Sequence, residues 1–417
     1  MTENIISRAG ILIQQRRYAE AEKLLKDLLS TDPDNVRILM LLAEAQLQQD
    51  DLDNAESLID SAIGLDPEFG YLFYIKARIQ IQKDKYAEAE KNLKIALELD
   101  PENADYYALW ASVKLTRKQY ESALEYADKA LELDAENIIA LNIRSTALFK
   151  LDRKEDSFTT IEGALREDPN DAYTHANYGW NLLEKGDTKK SLVHFGESLK
   201  NDPSSQYAQA GMIEALKANN FLYKGFLKYS FWIGNLTAKY QWGVILGFYF
   251  GVRFLRSLAD NNATLRPFLL PVVIVLAIVA FSTWIVTPFS NLFLRFNKYG
   301  KHLLDDKQKL SSNFVAISLL ICLSGIAGYL LANNEGFLTI AVFGFAMMVP
   351  LSTMFAPTKY KYSLLVYAGL MAAVGLGAIY ITFQSGELFN ALSPIFVYGF
   401  IGYQFVANFL MIKQSNY

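Results

Sequence analysis

The chain has 417 residues, with 40 Lys/Arg, 44 Asp/Glu and a formal net charge of −4. That charge is unevenly divided: residues 1–219 carry 26 Lys/Arg and 39 Asp/Glu (net −13), whereas residues 220–417 carry 14 and 5 (net +9). The acidic first half argues against a nucleic-acid partner, because phosphate backbones bind basic surfaces. The single cysteine, Cys322, excludes an intrachain disulfide framework and a cysteine-based metal site.

The first half repeats with a period of 34 residues. Asp-Pro recurs at residues 32–33, 66–67, 100–101, 168–169 and 202–203, with Asp134-Ala135 in the gap. Proline ends one helix and turns the chain, while small residues in the same register let two antiparallel helices approach closely. The small-residue columns are Ala9, Ala43, Ala77, Ala111, Ser145 and Gly179, then Ala21, Ala55, Ala89, Ala123, Ser157 and Ser191.

Two of these units, YAEAEKNLKIALELDPEN (Tyr86–Asn103) and YESALEYADKALELDAEN (Tyr120–Asn137), resemble the tetratricopeptide repeat (TPR) family. The resemblance covers six repeats from about residue 2 to residue 205, with Gln206–Ala218 as a capping helix. It implies an all-α fold in which helix pairs form a right-handed superhelix over residues 1–218. MTENIISRAG lacks a charged-then-apolar leader pattern, so this domain is expected in the cytosol.

The family resemblance also implies a concave groove lined by the first helix of each pair, which holds a peptide or protein partner. Tyrosine, tryptophan and arginine are typical anchors at such interfaces. The alternative is that the same residues only cover the inside of the superhelix. Lysines that grip a C-terminal carboxylate in one subset of the family are replaced by Ile6, Met40, Tyr74 and Ala108. The groove positions are Arg37, Tyr71, Tyr74, Arg78, Asn142, Tyr173, Asn177 and Trp180.

A linker at residues 219–240 follows, within the stretch FLYKGFLKYSFWIGNLTAKYQWG (Phe221–Gly243). Its lysines and aromatic residues are typical of a basic amphipathic segment at the headgroup layer of a membrane. The alternative is a last helix packed on the repeats. The predicted interface residues are Lys224, Lys228, Trp232, Lys239 and Trp242.

Residues 241–417 are predicted to form a transmembrane bundle of about six helices, since most of the apolar runs approach the ~20 residues that cross a bilayer. The first run, Tyr240–Val252, is short, and reaches that length only by borrowing residues back to about Phe231. The other runs are Pro267–Phe289, Phe314–Ala332, Gly336–Ala356, Leu364–Phe383 and Pro394–Ile412.

Basic loops predict the orientation of these helices. Arg295, Lys298, Lys301, Lys307 and Lys309 lie in one connection, Lys359 and Lys361 in another, and Lys413 in the tail, whereas NNEG and QSGE carry no Lys or Arg. Positive charge stays on the cytosolic side, which places both the repeats and the C-terminus in the cytosol. Arg253, Arg256 and Arg266 oppose this arrangement for the first crossing.

No catalytic signature is present in the second half. The three histidines, His175, His194 and His302, lie outside the predicted crossings, and neither a zinc H-E-x-x-H nor a nucleophile G-x-S-x-G occurs. Gln404 and Asn408 share one face of the last crossing, which favours an interhelix hydrogen bond over a pore or a lipid-facing polar site. Gly369, Ala373 and Gly377 form a small-residue seam for an intrachain contact or a dimer face.

These features predict a non-enzymatic membrane scaffold that needs no cofactor or metal. Its expected partners are a protein or peptide in the groove, membrane lipids, and a second membrane protein or copy of the chain; nucleic acid is not expected. The expected location is a bacterial cytoplasmic membrane. The alternative function is a transporter or channel for a small neutral solute or lipid, with the repeats as a docking arm, because six crossings exceed what an anchor requires.

Overall fold

The computed structural model describes residues 2–295, 303–356 and 362–414, and over those ranges it contains 20 α-helices and no β-strand. The chain divides into two compact units, Met1–Asn177 and Tyr178–Tyr417, so the boundary falls inside a helix of the sixth repeat. The repeat helices are α1 (Thr2–Gln14), α2 (Tyr18–Leu29), α3 (Val36–Gln48), α4 (Leu52–Leu65), α5 (Gly70–Gln82), α6 (Tyr86–Leu99), α7 (Ala104–Thr116), α8 (Tyr120–Leu133), α9 (Ile138–Lys150), α10 (Lys154–Glu167), α11 (Ala172–Lys185), α12 (Thr188–Asn201) and α13 (Gln206–Lys217).

Six helix pairs and a thirteenth helix confirm the predicted repeat fold. The small-residue columns are the crossing points: Ala9, Ala43 and Ala77 are completely buried, as are Ala55 and Ala89. Where the fifth repeat substitutes serine, the Ser145 hydroxyl lies 3.1 Å from the Ser157 hydroxyl, so the polar groups satisfy each other across the same crossing.

The ends of the repeat helices follow the same period. Asn35, Asn103 and Asn137 precede first helices and accept backbone N–H groups through their side chains, which satisfies donors left open at a helix start. Between the two helices of each repeat, one residue has positive φ. This column contains Arg16, Asp50, Asp84, Lys118, Asp152 and Gly186, with φ of 58–63° except for 96° at the glycine.

The second unit begins with the rest of the sixth repeat, whose core is centred on Phe195. This ring is fully buried and occupies the space left by Gly179 and Gly211. A Cβ on Gly179 would lie 2.7 Å from the ring, and one on Gly211 would overlap it. The glycine in the small-residue column is therefore required by the larger aromatic residue opposite.

Seven further helices of this unit are described, and all but the first have 18 or more residues. They are α14 (Phe221–Asn235), α15 (Ala238–Asn261), α16 (Arg266–Leu294), α17 (Asp306–Ala332), α18 (Gly336–Thr353), α19 (Ser363–Ser385) and α20 (Leu392–Gln414). Four of them, α16 to α19, are long and apolar enough to cross a membrane, which is fewer than the six crossings expected; α15 and α20 do not meet both requirements over the residues described. The loop lysines Lys298, Lys301, Lys359 and Lys361, together with His302, lie outside the described residues.

The first apolar run does not borrow from the preceding segment as expected. Instead, α14 ends at Asn235 and α15 begins at Ala238. The buried Gln241 amide stabilises this break, because it donates hydrogen bonds to the carbonyls of Ile233 (3.1 Å) and Leu236 (3.0 Å). A side chain thus satisfies carbonyl groups that a continuous helix would have paired through its own backbone.

The long helices approach closest where α17 crosses α18. Gly325 faces the backbone of Ala341, and Gly344 faces the backbone of Cys322, so closely that a Cβ at either glycine would overlap main-chain atoms. Hydroxyl groups add interhelix bonds: Ser311 donates to the Ser352 carbonyl (2.9 Å) and Ser352 donates to that of Trp284 (3.1 Å). Small residues and hydroxyl groups of this kind hold helices together in lipid.

Candidate functional site

In the first unit, residues spaced by one repeat contact each other on neighbouring first helices. The Arg37 guanidinium lies 2.9 Å from the Glu3 carboxylate, and Arg78 forms two hydrogen bonds with Glu44, at 2.6 and 3.0 Å. Both pairs are separated by 34 residues. This geometry pairs the charges of Arg37 and Arg78 with carboxylates on the preceding first helices.

An aromatic and charged cluster on these first helices, the Tyr74 cluster, is formed by Glu44, Tyr71, Tyr74, Arg78 and Tyr106. The Tyr74 ring stacks on Tyr71 at 5.4 Å and on Tyr106 at 5.2 Å between ring centroids. The Arg78 guanidinium lies 5.7 Å from the Tyr74 centroid. Sequence analysis selected three of the five residues; Glu44 and Tyr106 were missed, although Glu44 stands one repeat before Arg78.

The electrostatics of the Tyr74 cluster favour neutral hydroxyl groups. Burial raises the pKa of Tyr74 to about 12, and burial followed by the nearby Glu44 carboxylate raises the pKa of Tyr71. Both phenols therefore stay protonated at physiological pH and remain hydrogen-bond donors. The Arg78 and Glu44 side chains are only 25% and 16% exposed, and each neutralises the other.

The side chains of Asn142 and Asn177 form hydrogen bonds with other residues of the first unit. Both are buried, at 1% and 3% exposure. The Asn177 amide donates to the Asn142 side-chain oxygen (3.0 Å), Asn142 donates to the Thr174 hydroxyl (2.7 Å), and Thr146 donates to Asn177 (3.0 Å). This network satisfies polar groups between neighbouring first helices, and its burial leaves the two amides little exposure to a ligand. Tyr173, by contrast, is 56% exposed.

Trp180 belongs to the second unit and is half-buried, packed against the core of its last repeat. Its ring contacts Phe195, Tyr207 and Phe231 at centroid distances of 5.6, 5.8 and 6.2 Å. Its indole N–H donates to the Tyr207 carbonyl at 3.2 Å. Three ring contacts and a satisfied indole N–H indicate a structural role in joining the sixth repeat to the following helices.

The predicted interface residues differ in their surroundings. Lys224 donates to the Gly186 carbonyl at 2.8 Å, in the turn of the sixth repeat. Lys228, Trp232 and Lys239 are exposed, and Trp242 is half-buried. The linker is not one continuous amphipathic helix, because the break before Ala238 places Lys224 and Lys239 on different helices.

Within the bundle, the last helix presents a different polar residue to its neighbours than expected. Gln404 and Asn408 are half-buried, and neither makes a hydrogen bond among the described residues. Tyr403 is fully buried instead; its hydroxyl lies 2.9 Å from that of Thr353 and donates to the Pro350 carbonyl at 3.2 Å. Since consecutive helical residues are about 100° apart, Gln404 lies off the inward face.

The small-residue seam on α19 is open at one end and contacted at the other. A Cβ on Gly369 would meet nothing within 4 Å, whereas one on Gly377 would lie 2.8 Å from Leu392. Gly369 therefore makes no close crossing with another described helix. A dimer face along Gly369, Ala373 and Gly377 stays a prediction.

Among the residues that the structure describes, no group of three or more His, Cys, Asp or Glu side chains is arranged so that it could hold a metal ion.

Comparison with known proteins identifies the repeats. Family models of the tetratricopeptide repeat match residues 12–79, 76–138 and 108–172. Residues 12–172 are therefore tetratricopeptide repeats, and the structure extends the same helix-pair pattern through α12. No curated protein sequence matches the chain.

Several solved structures are similar to this chain at low identity. A tetratricopeptide repeat protein from Parabacteroides merdae is 16% identical, with a TM-score of 0.46 over 52% of this chain and 84% of that one. The pilF protein of Pseudomonas aeruginosa is 17% identical, with a TM-score of 0.42 over 50% and 95%. YrrB, described as a TPR protein with an unusual peptide-binding site, is 20% identical, with a TM-score of 0.33 over 45% and 96%.

Proposed function

We propose that this chain is a membrane-embedded scaffold that recruits a protein partner through the first-helix surface of its repeats. The observation that carries the proposal is the Tyr74 cluster. It combines stacked tyrosines with a guanidinium group and a carboxylate group on neighbouring first helices. Aromatic residues and arginine supply most of the binding energy at protein interfaces.

The chemistry of the Tyr74 cluster suggests the kind of segment it binds. The half-buried Tyr71 and Tyr74 offer aromatic surface and neutral hydroxyl groups, and the buried Tyr106 supports Tyr74 by stacking. The Arg78–Glu44 pair is already internally compensated, so it does not require a charged partner. We therefore infer that the partner presents an uncharged stretch with apolar or aromatic side chains at this point.

Membrane attachment is the second part of the proposal. It is supported by the four helices α16–α19, which are long and apolar enough to span a bilayer. The surplus of positive charge over residues 220–417 fits loops that face a cytosolic, anionic lipid surface. In this arrangement the repeats and the C-terminus share the cytosolic side of a bacterial cytoplasmic membrane, and the scaffold localises its partner there.

Site-specific photo-crosslinking in intact cells tests the first-helix surface. A photoreactive residue replaces Arg37, one repeat before Tyr71 and exposed, and a matched control replaces Ser57, exposed on the second helix α4. We expect a discrete crosslinked protein from the first position only. The double variant Tyr74→Ala, Arg78→Glu should abolish that product.

The proposal fails if both positions capture the same proteins, or if the double variant leaves the product unchanged. Trp180→Ala would not be a specific test of the binding surface, because the three ring contacts of Trp180 stabilise the sixth repeat. Circular dichroism of the double variant distinguishes a lost surface from a lost fold.

A further inference from the structure

Helix α14 has two unlike faces. Tyr223 and Leu227 are buried against Leu183, Phe195 and Ala215 of the last repeat. The opposite stripe is exposed, with Phe221 at 79%, Trp232 at 52% and Tyr229 at 43%. Lys228 is also exposed within this stripe. An exposed aromatic stripe is unusual on a water-facing helix, and it indicates contact with another medium or molecule.

The buried face is fixed by polar bonds as well as by packing. The Tyr223 hydroxyl donates to Glu214 at 2.6 Å, and the same carboxylate group pairs with the buried Lys217 at 3.1 Å. At the far end of α14, the Asn235 amide donates to Glu184 at 2.9 Å. Helix α14 is therefore held rigidly on the sixth repeat, and its exposed stripe has a fixed direction.

The neighbouring helix α16 indicates at which depth, relative to the membrane, the exposed stripe of α14 lies. Its charged start, Arg266, marks one membrane boundary, and a hydrocarbon core of ~30 Å corresponds to ~20 residues at 1.5 Å each. The other boundary then falls near Val286. Val286 packs against the cluster that contains Tyr223 and Leu227 of α14, and Ile213 of α13 packs with Leu294, about 12 Å further along the axis of α16.

Along the chain, α14 and the segments that flank it carry only positive charges, and the carboxylate groups that contact α14 lie on its buried side. No Asp or Glu occurs between Glu214 and Asp260, a segment that contains Lys228 and Lys239. Both of these lysines are exposed. Lysines at this level attract the phosphates of anionic lipids, and tyrosine and tryptophan prefer the same layer.

We propose that α14 lies in the headgroup layer and binds anionic lipid through Phe221, Lys228, Tyr229 and Trp232, with Lys239 at the start of α15. The inference rests on the membrane-embedded part of the proposed function. It adds that the lipid surface, and not only the connecting chain, fixes the orientation of the last repeat.

Spin labelling of the full chain in nanodiscs containing phosphatidylglycerol tests this position. In a Cys322→Ala background, single cysteines replace Trp232, Val275 on the exposed face of α16, and Lys91 on the exposed face of α6. The readout is the accessibility of each label to oxygen, which concentrates in lipid, and to an aqueous nickel chelate. We expect the label at 232 to resemble the one at 275, with an oxygen-to-nickel ratio several-fold above that at 91.

Each outcome has a distinct meaning. A lipid-like label at 275 with an aqueous label at 232 overturns the inference but leaves the membrane domain intact. An aqueous label at 275 overturns the proposed membrane embedding itself. The double variant Lys228→Glu, Lys239→Glu should lower the oxygen-to-nickel ratio at 232, whereas Lys94→Glu should not; equal effects contradict the role of anionic lipid.

A second measurement covers the case in which the Trp232 replacement fails to fold. Brominated lipids quench tryptophan fluorescence at the membrane boundary. In nanodiscs made with such lipids, the conservative variant Trp232→Phe should lose part of the quenchable fluorescence. An unchanged quenchable fraction contradicts the proposal.

Discussion

The repeat helices and the long apolar helices both cross at small residues, but they use different ones. In the repeats the crossing residues are mainly alanines such as Ala43 and Ala89, which are fully buried beneath larger apolar side chains. In the bundle the α17–α18 crossing uses Gly325 and Gly344, which contact the opposite backbone directly. The long helices therefore approach each other more closely than the repeat helices do at these crossings.

The proposed membrane embedding accounts for this difference, because different forces bring helices together in water and in lipid. In water, burying apolar surface drives association, and an alanine leaves room for leucine and isoleucine to fill the interface. In lipid there is no comparable gain, because the tails are as apolar as the side chains. Dispersion contacts and hydroxyl bonds must hold the helices, and both weaken quickly with distance. Glycine then becomes necessary at the crossing.

The largest expected effect follows from adding one methyl group to the bundle crossing. Gly344→Ala places a Cβ against the Cys322 backbone, which cannot move as a side chain could. We expect the free energy of unfolding of the second unit to fall by about 2–3 kcal/mol. The alkylation rate of the buried Cys322 in detergent should rise accordingly. The matched control Gly247→Ala, where a Cβ meets nothing, should leave that rate unchanged.

A smaller effect is expected from overfilling a crossing in the repeats. Ala89→Leu inserts a larger side chain at a fully buried position, and we expect a loss of about 1–3 kcal/mol in urea unfolding monitored by circular dichroism. Ala87→Leu, two residues earlier and exposed, is the control and should be close to neutral. A comparable loss in both variants would show that the column position has no special role.

The charged pair of the Tyr74 cluster should contribute less. A double-mutant cycle of Glu44→Gln and Arg78→Met should give a coupling energy of about 1 kcal/mol in unfolding, because the bidentate pair is only partly desolvated. Single replacement of Glu44 should cost more than the coupling energy, since Arg78 would be left without its partner. Additive single effects would contradict a direct interaction.

The smallest effects concern the turns with positive φ. Asp50→Gly relieves a left-handed conformation at φ 63°, and we expect a gain of about 0.5 kcal/mol after the added freedom of the unfolded chain is subtracted. Gly186→Ala should cost about 1 kcal/mol at φ 96°. Thermal unfolding of both variants checks the opposite signs; a loss at Asp50 would mean that its side chain stabilises the turn.

Sequence by itself determined the repeat domain, since the period of 34 residues fixes where helices end and which small residues meet. It also located the apolar helices, since composition over ~20 residues suffices to indicate a membrane crossing. The asparagine caps at Asn35, Asn103 and Asn137 could also be predicted from the sequence, because Asn before an amphipathic run marks a helix start. The column of turn residues with positive φ was harder to predict, because glycine, which adopts positive φ most readily, occurs in it only at Gly186.

Tertiary structure alone decided which face of each apolar helix points inward. Tyr403 and Gln404 are adjacent in sequence, yet one is buried and hydrogen-bonded while the other is half-buried, because neighbouring helices select the face. The break at Leu236 likewise depends on the fold of Gln241 back onto two carbonyl groups. In a segment that is apolar all round, periodicity carries no direction, and only the contacts with neighbouring helices supply it.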